Sequence, residues 1–352
     1  MKNKALLLVF IFSLLFFGYG CRHKTIVCDQ IPDAENMIFH KDGTLFATGG
    51  NNIYKITKNS DGNYESTELF NEQASFAGMT IHGNFLYVIY SKTTFDIDYH
   101  EIIKESLSGG QAFSEIIDTI KKKIIDKKIF VADLDKNEIV FTEFCTLEEM
   151  FIPNGMAVDS SGRLYVTDET FVPFGKILRI SKNQGVIEKK IWMDNKKGAV
   201  SPNGIIINDD ILYFTDLDLS NPLSPKAIVK KVDINRYDTG QPDAASVLYK
   251  RTGGITAPFS LFDDLTYETL LGVPTVIVTD YNHGSLLFID ADSSTGKPYY
   301  ETSKGLFASP SSVIRGMGPD FSSDQLIVTE KGILILDPYS DFGNKIVSLE
   351  MK

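Results

Sequence analysis

Two copies of Pro-Asn-Gly, Pro153-Asn154-Gly155 and Pro202-Asn203-Gly204, head short apolar runs in FIPNGMAVDSSGRLYVTDE and VSPNGIIINDDILYFTDLD. Asp263-Asp264 occupies the corresponding place ahead of LTYETLLGVPTVIVTD, and Glu35 ahead of NMIF. Carboxylates and amide oxygens are hard donors. A set of them without His or Cys suits Ca²⁺, which accepts six to eight oxygens in tolerant geometry. Mg²⁺ and Mn²⁺ take the same donors, and Zn²⁺ is disfavoured. Asx-Gly ahead of a strand is also ordinary turn chemistry, so a single copy would say little. Four matching positions say more if the fold brings them together.

Strand-turn-strand units supply the means. Besides the two quoted segments, AENMIFHKDGTLFATGGNNIYKI from Ala34, FAGMTIHGNFLYVIY from Phe76, FDDLTYETLLGVPTVIVTDYNHGSLLFID from Phe262 and VIRGMGPDFSSDQLIVTEKGILILD from Val313 repeat the shape. Their starts are spaced by roughly 40 to 60 residues, the period of propeller blades, apart from one longer gap between the second and third copies. The strands are β-branched and aromatic, and the turns are Asp-Gly, Ser-Gly, Asn-Asp or His-Gly. This predicts an all-β, six-bladed β-propeller. Each blade's innermost strand then starts near a common axis. Read in blade order, those starts carry Glu35, Ala77, Asn154, Asn203, Asp263 with Asp264, and Arg315 with Gly316. The recurring pairs Thr167-Asp168, Thr215-Asp216 and Thr279-Asp280 read as structural turn formers at strand ends away from the axis.

The long gap holds GGQAFSEIIDTIKKKIIDKK, where Phe113, Ile116, Ile117, Ile120 and Ile124 recur at helical spacing beside a lysine face. It predicts a helical insertion between blades 2 and 3, its lysines solvated. A seventh blade around KKIFVADLDKNEIVFTEF is the competing architecture.

Residues 1–20 form a separate object: MKNK, the apolar ALLLVFIFSLLFF, then GYG before Cys21. This reads as a secretory signal of lipoprotein type, with Cys21 lipidated and residues 21–352 forming one propeller domain. It places the protein outside the bacterial cytoplasm, in the periplasm or cell envelope, touching membrane only through the anchor. Cys28 and Cys145 remain, in no metal-spaced motif, and read as two ordinary thiols or a pair. The net charge of −11 and pI near 5.0 argue against nucleic acid as a partner and suit a cation site. No protein partner is predicted.

At its blade-start residues the chain resembles the family of senescence marker protein 30, gluconolactonase and paraoxonase, calcium-dependent six-bladed propellers. The resemblance implies hydrolysis of a lactone or ester. It makes Glu35, Asn203 and Asp263 direct metal ligands, Asn154 a ligand or a substrate-orienting group, and Asp264 a secondary ligand. Asp263 is the implied base, with Asp264 in reserve, and Arg315 either holds an anionic substrate or pairs with the acidic ring. Paraoxonases carry a catalytic His at the second-blade start, where this chain has Ala77-Gly78; His40, His82, His100 and His283 read as structural. The LYVTD phrases also resemble YWTD and NHL repeats, which implies a non-catalytic binding propeller as the alternative. A strictosidine-synthase-like propeller is a third reading.

Overall fold

A computed structural model describes residues 24–93, 124–170, 174–221, 223–241, 244–253, 259–293, 296–332 and 342–351. The chain is all-β, a six-bladed propeller in which every sheet has four antiparallel strands. Strand β1 (Lys24–Cys28) lies apart in sequence from the blade it completes. Blade 1 is β2 (Ala34–Phe39), β3 (Leu45–Gly49), β4 (Asn52–Lys58) and β5 (Tyr64–Asn71). Blade 2 is β6 (Ser75–His82), β7 (Phe85–Thr93), β8 (Ile124–Asp133) and β9 (Thr142–Thr146). Blade 3 is β10 (Pro153–Val158), β11 (Leu164–Asp168), β12 (Lys176–Asn183) and β13 (Val186–Asp194). Blade 4 is β14 (Pro202–Asn208), β15 (Ile211–Asp218), β16 (Lys226–Asp233) and β17 (Ala245–Thr252), with the short helix α1 (Ile234–Asp238) before its last strand. Blade 5 is β18 (Phe262–Leu270), β19 (Val273–Asp280), β20 (Ser285–Asp290) and β21 (Pro298–Glu301). Blade 6 is β22 (Pro310–Arg315), β23 (Gln325–Glu330) and β24 (Lys345–Glu350), and β1 pairs antiparallel with β24 as its outermost strand. The first strand thus closes the ring on the last, covering β24 and giving blade 6 the same four strands as the other blades.

The hydrophobic pattern grades from the axis outward. The second strands are buried on both faces, LYVTD of β11 throughout, because each blade packs against two neighbours. The fourth strands, such as β13, are largely exposed. Six apolar clusters fill the six seams. Between blades 4 and 5, for instance, Tyr213 and Val229 meet Leu265, Val276 and Val278. Between blades 2 and 3, Ile89 and Ile129 meet Met156, Leu164 and Val166. Each such side chain contributes about 1.5–3 kcal/mol by burial, so blade-to-blade packing carries the fold.

Two expectations on blade 2 are settled by its strands. KKIFVADLDKNEIVFTEF supplies most of β8, the following turn and most of β9, so it is the outer half of blade 2 and not a seventh blade. The helical periodicity around Phe113 to Ile120 lies outside the described residues. Its last members, Ile124 to Lys128, are extended in β8, where pairing with β7 overrides local helical spacing. Cys21 and the leader also lie outside the described residues. Cys28 and Cys145 are both free thiols.

Candidate functional site at the axial mouth

The six inner strands begin in one common way. In every blade a residue at or next to the start of the inner strand, counted as its first position, pairs with a residue at or near the end of the second strand, and the register then slips before the fourth position. The pairs are Ala34 with Gly49, Phe76 with Tyr90, Pro153 with Asp168, Pro202 with Asp216, Phe262 with Asp280, and Pro310 with Glu330. Two inner-strand residues therefore oppose a single residue of the second strand, a bulge that re-aims side chains.

Threonine occupies that single position in five blades and explains the repeated Thr-Asp. The hydroxyl of Thr215 accepts from Gly204 N–H at 2.8 Å and donates to the Asp263 carbonyl of the next blade at 2.8 Å. Thr167 does the same between Gly155 N–H, at 2.8 Å, and the Asn203 carbonyl. Thr48, Thr279 and Thr329 join Asn36 to Ala77, Asp264 to Ser311 and Ser312 to Glu35. Blade 2 has Ile89 instead. The acid after Thr holds the entering loop: Asp168 accepts from the N–H groups of Phe151 (2.6 Å) and Ile152 (2.7 Å), and Asp216 from those of Ser201 (2.6 Å) and Val200 (3.2 Å). The Thr-Asp pairs are structural, as expected. They are not remote from the axis, because they hold the strand starts that face it.

The second inner-strand position then presents Glu35, Ala77, Asn154, Asn203, Asp263 and Ser311. Glycine at the third position of blades 2, 3 and 4 is required by close approach; a Cβ on Gly204 would stand 2.5 Å from the Asp263 carbonyl oxygen and from Asp264 Cα. Asn154, Asn203 and Asp263 are brought together. Asn203 Nδ2 donates to Asp263 Oδ1 at 2.8 Å and to Glu169 Oε1 at 3.3 Å, and Asn154 Nδ2 donates to Glu169 Oε2 at 2.9 Å. Glu35 is ion-paired with Lys331, whose Nζ also lies 3.8 Å from Asp33 Oδ1. Asp264, at the third position, belongs to a neighbouring network: its Oδ2 accepts from Asn36 Nδ2 at 3.0 Å and Ser312 Oγ at 2.8 Å.

Arg315 is not at the mouth. The sixth inner strand starts at Pro310, so its axial residues are Ser311 and Ser312, and Arg315 lies at the strand's far end. There its guanidinium donates to the Ser323 carbonyl at 2.6 Å and reaches Glu268 at 3.5 Å. The bulge register corrects the expectation that Arg315 holds an anionic substrate or pairs with the acidic ring. Of the histidines, His40 pairs with Asp42, and His283 with Asp280 and Ser260. His100 lies outside the described residues.

Sequence reasoning missed Glu169 and Lys331. Both stand one residue past the Thr-acid pair, in Thr167-Asp168-Glu169 and Thr329-Glu330-Lys331. That position, repeated in each blade, was the signal that could have found them.

The mouth gathers more negative than positive charge in little water. Burial raises Asp263 well above the carboxylate range, and the neighbouring Glu35 adds to this. Burial raises Glu35 too, partly offset by Lys331. Burial lifts Glu169 to about 7 against the bonds from Asn154, and lifts Asp264 to about 7 against its hydrogen bonds. Burial alone would lower Lys331, but Asp33, Glu35 and Asp263 hold it well above the ordinary lysine value. These carboxyls are raised first because burial strips the charged forms of solvent, and the hydrogen bonds and Lys331 only partly offset this.

The donor set fits a hard cation by type. Turning the Asn154 and Asn203 amides about Cβ–Cγ exchanges nitrogen for oxygen at nearly the same place, so these side chains can present oxygens alone. Among the described residues no three acidic, His or Cys side chains form a metal-ligating group. The amides are therefore an essential part of any cation site here.

No family model and no curated protein matches the chain. Its fold is similar to that of a gluconolactonase from Xanthomonas campestris, with a TM-score of 0.55, 13% identity, and coverage of 94% of this chain and 89% of the other. It is also similar to a streptogramin B lyase (0.51, 13% identity, 94% and 98% covered). The major allergen Mala s 1 of Malassezia sympodialis is a third (0.51, 10% identity, 94% and 96% covered). At such identities the likeness concerns the fold.

Proposed function

We propose that this chain is a calcium-dependent hydrolase of a lactone or ester, working at the axial mouth of the propeller. The observation that carries this is the convergence of Asn154, Asn203 and Asp263 from successive blades onto one hydrogen-bonded set that also includes Glu169. The gluconolactonase among the similar folds supports the substrate class. The lyase among them supports the wider view that this kind of mouth hosts enzymes.

Asn154, Asn203 and Asp263 would hold Ca²⁺ together with a second carboxylate, Glu35 or Glu169. Bound there, the ion would supply Lewis-acid polarisation of a carbonyl oxygen and stabilisation of the developing oxyanion. Asn154, half-buried, orients the substrate at the rim. A carboxylate that binds a cation is weakened as a base, so Asp264, outside the hydrogen-bonded set, takes the proton of the attacking water. Asn36 and Ser312 fix its orientation. In the same reading the protein is exported and tethered through Cys21, which mass spectrometry of the mature amino terminus would test.

The decisive assay is hydrolysis of a panel of aliphatic lactones and aryl esters with and without Ca²⁺, by the parent and by Asp263→Asn and Asp264→Asn. The expected result is Ca²⁺-dependent turnover lowered by about 100-fold or more in both variants, the scale of one acid–base group. A Ca²⁺-loaded parent that turns over none of the panel would sink the hydrolase reading and leave a binding propeller.

A further inference from the structure

The four candidate ligands of blades 1, 3, 4 and 5 are not equivalent in this structure. Asn154, Asn203 and Asp263 share hydrogen bonds, whereas Glu35 is engaged by the ammonium of Lys331. Lys331 has little freedom to leave. Its own N–H donates to the Ser309 carbonyl at 3.2 Å, and Gly332 N–H donates to the Ala308 carbonyl at 2.9 Å. The buried Tyr281 hydroxyl donates to the Gly332 carbonyl at 2.6 Å. The side chain is only 16% exposed and has Asp33 as a second acidic neighbour. An ion on Glu35 would have to share a carboxylate that this ammonium already contacts directly, whereas Asp263 meets Lys331 only through space, where the repulsion falls with distance.

Glu169 stands differently. Its two oxygens are met by amides, Oε2 by Asn154 and Oε1 by Asn203, and its side chain bridges blades 3 and 4 where two expected ligands lie. Its backbone is fixed as well: Glu169 N–H donates to the Ile152 carbonyl at 2.9 Å, beside the Asp168 cap. Glu169 and Asp263 bring two negative charges, which match one divalent ion, and two amides complete a protein set that leaves room for water ligands.

We infer that the cation of this mouth is carried by Glu169 and Asp263 with Asn154 and Asn203, and that Lys331 withholds Glu35 from it. The inference rests on the calcium reading proposed above and changes its ligand set. Glu35 becomes a positioning residue for Lys331, and the mouth holds a divalent ion and an ammonium side by side on separate carboxylates.

The test is calorimetric titration of CaCl₂ into the full mature chain, as parent, Glu169→Gln, Glu35→Gln and Lys331→Met, each first checked for folding by Trp192 fluorescence. Glu169→Gln keeps size and hydrogen bonding but loses the charge, and weakens Ca²⁺ by about 100-fold, since ligand charge sets affinity at such sites. Glu35→Gln stays within about threefold of the parent, a change too small for a lost anionic ligand. Lys331→Met binds at least as tightly as the parent. Loss of binding in Glu35→Gln with parental binding in Glu169→Gln overturns this ligand set while leaving the calcium reading intact. No binding by the folded parent overturns both. Should Glu169→Gln fail to fold, Glu35→Gln decides alone.

Discussion

Thr215→Val removes one oxygen from a residue that no solvent reaches and replaces it with a methyl of similar size. In the parent that oxygen accepts from Gly204 N–H and donates to the Asp263 carbonyl, each at 2.8 Å, across the seam between blades 4 and 5. Both hydrogen bonds are lost and the Gly204 N–H and the Asp263 carbonyl are left unpaired where water cannot enter, at about 1–3 kcal/mol each. The added methyl returns at most about 0.8 kcal/mol. The net expectation is a loss of about 1–5 kcal/mol, centred on about 3. Urea unfolding reads it, followed through Trp192, the chain's single tryptophan, which packs against Tyr165 and Tyr237 in the seam of blades 3 and 4. With a slope near or above 3 kcal/mol/M for a chain this large, the midpoint falls by about 1 M. Thr142→Val is the control, because its hydroxyl is exposed and makes one 3.4 Å contact to the Val131 carbonyl; it shifts stability by less than about 0.5 kcal/mol. Equal midpoints for the two variants at equal slope would refute the claim that the buried threonines tie the blades.

Other perturbations probe the same construction. Gly204→Ala forces a Cβ to within 2.5 Å of two backbone atoms of blade 5, so it costs about 3 kcal/mol or more; a urea midpoint like the parent's would show that the seam can widen. Deleting Lys24–Cys28 uncovers the edge of β24, and the expected outcome is concentration-dependent association seen by light scattering. A monomer of unchanged midpoint would show that the ring does not depend on this closure. Asp159 is pushed up by burial, yet the bonds from Ser161 and Arg163 prevail and hold it below the usual carboxylate range. Its contribution is thus full above about pH 4, the unfolded value, and is lost as pH falls through the lowered folded value. Asp159→Asn should therefore be less stable than the parent by about 2 kcal/mol at neutral pH, and the gap should close in strong acid. A gap independent of pH would contradict that assignment.

Strand formation and repetition are local properties, and here they were legible in the chain. Alternating β-branched and aromatic runs such as LYVTD, LYFTD and VIVTD fold as the buried second strands of their blades, because no other element uses that period and burial together. The Asn and Asp residues ahead of the inner strands were legible too, since Asn154, Asn203 and Asp263 sit at equivalent places in consecutive repeats. What depended on pairing between distant segments was not. Ile124 to Lys128 has helical spacing but pairs with β7 as strand. The sixth blade begins in Pro310-Ser311-Ser312, which offers no acid or amide to align on, so Arg315 was assigned to a mouth it does not reach. Glu169 and Lys331 look like ordinary charged residues after a turn. Only the register slip shared by all six blades, together with ring closure of β1 on β24, turns those two positions toward one axis and sets an ammonium against Glu35. The sequence by itself determined which residues could face a common centre. The tertiary structure decided which of them share it, because charge pairing at the mouth depends on distances between blades that no local pattern encodes.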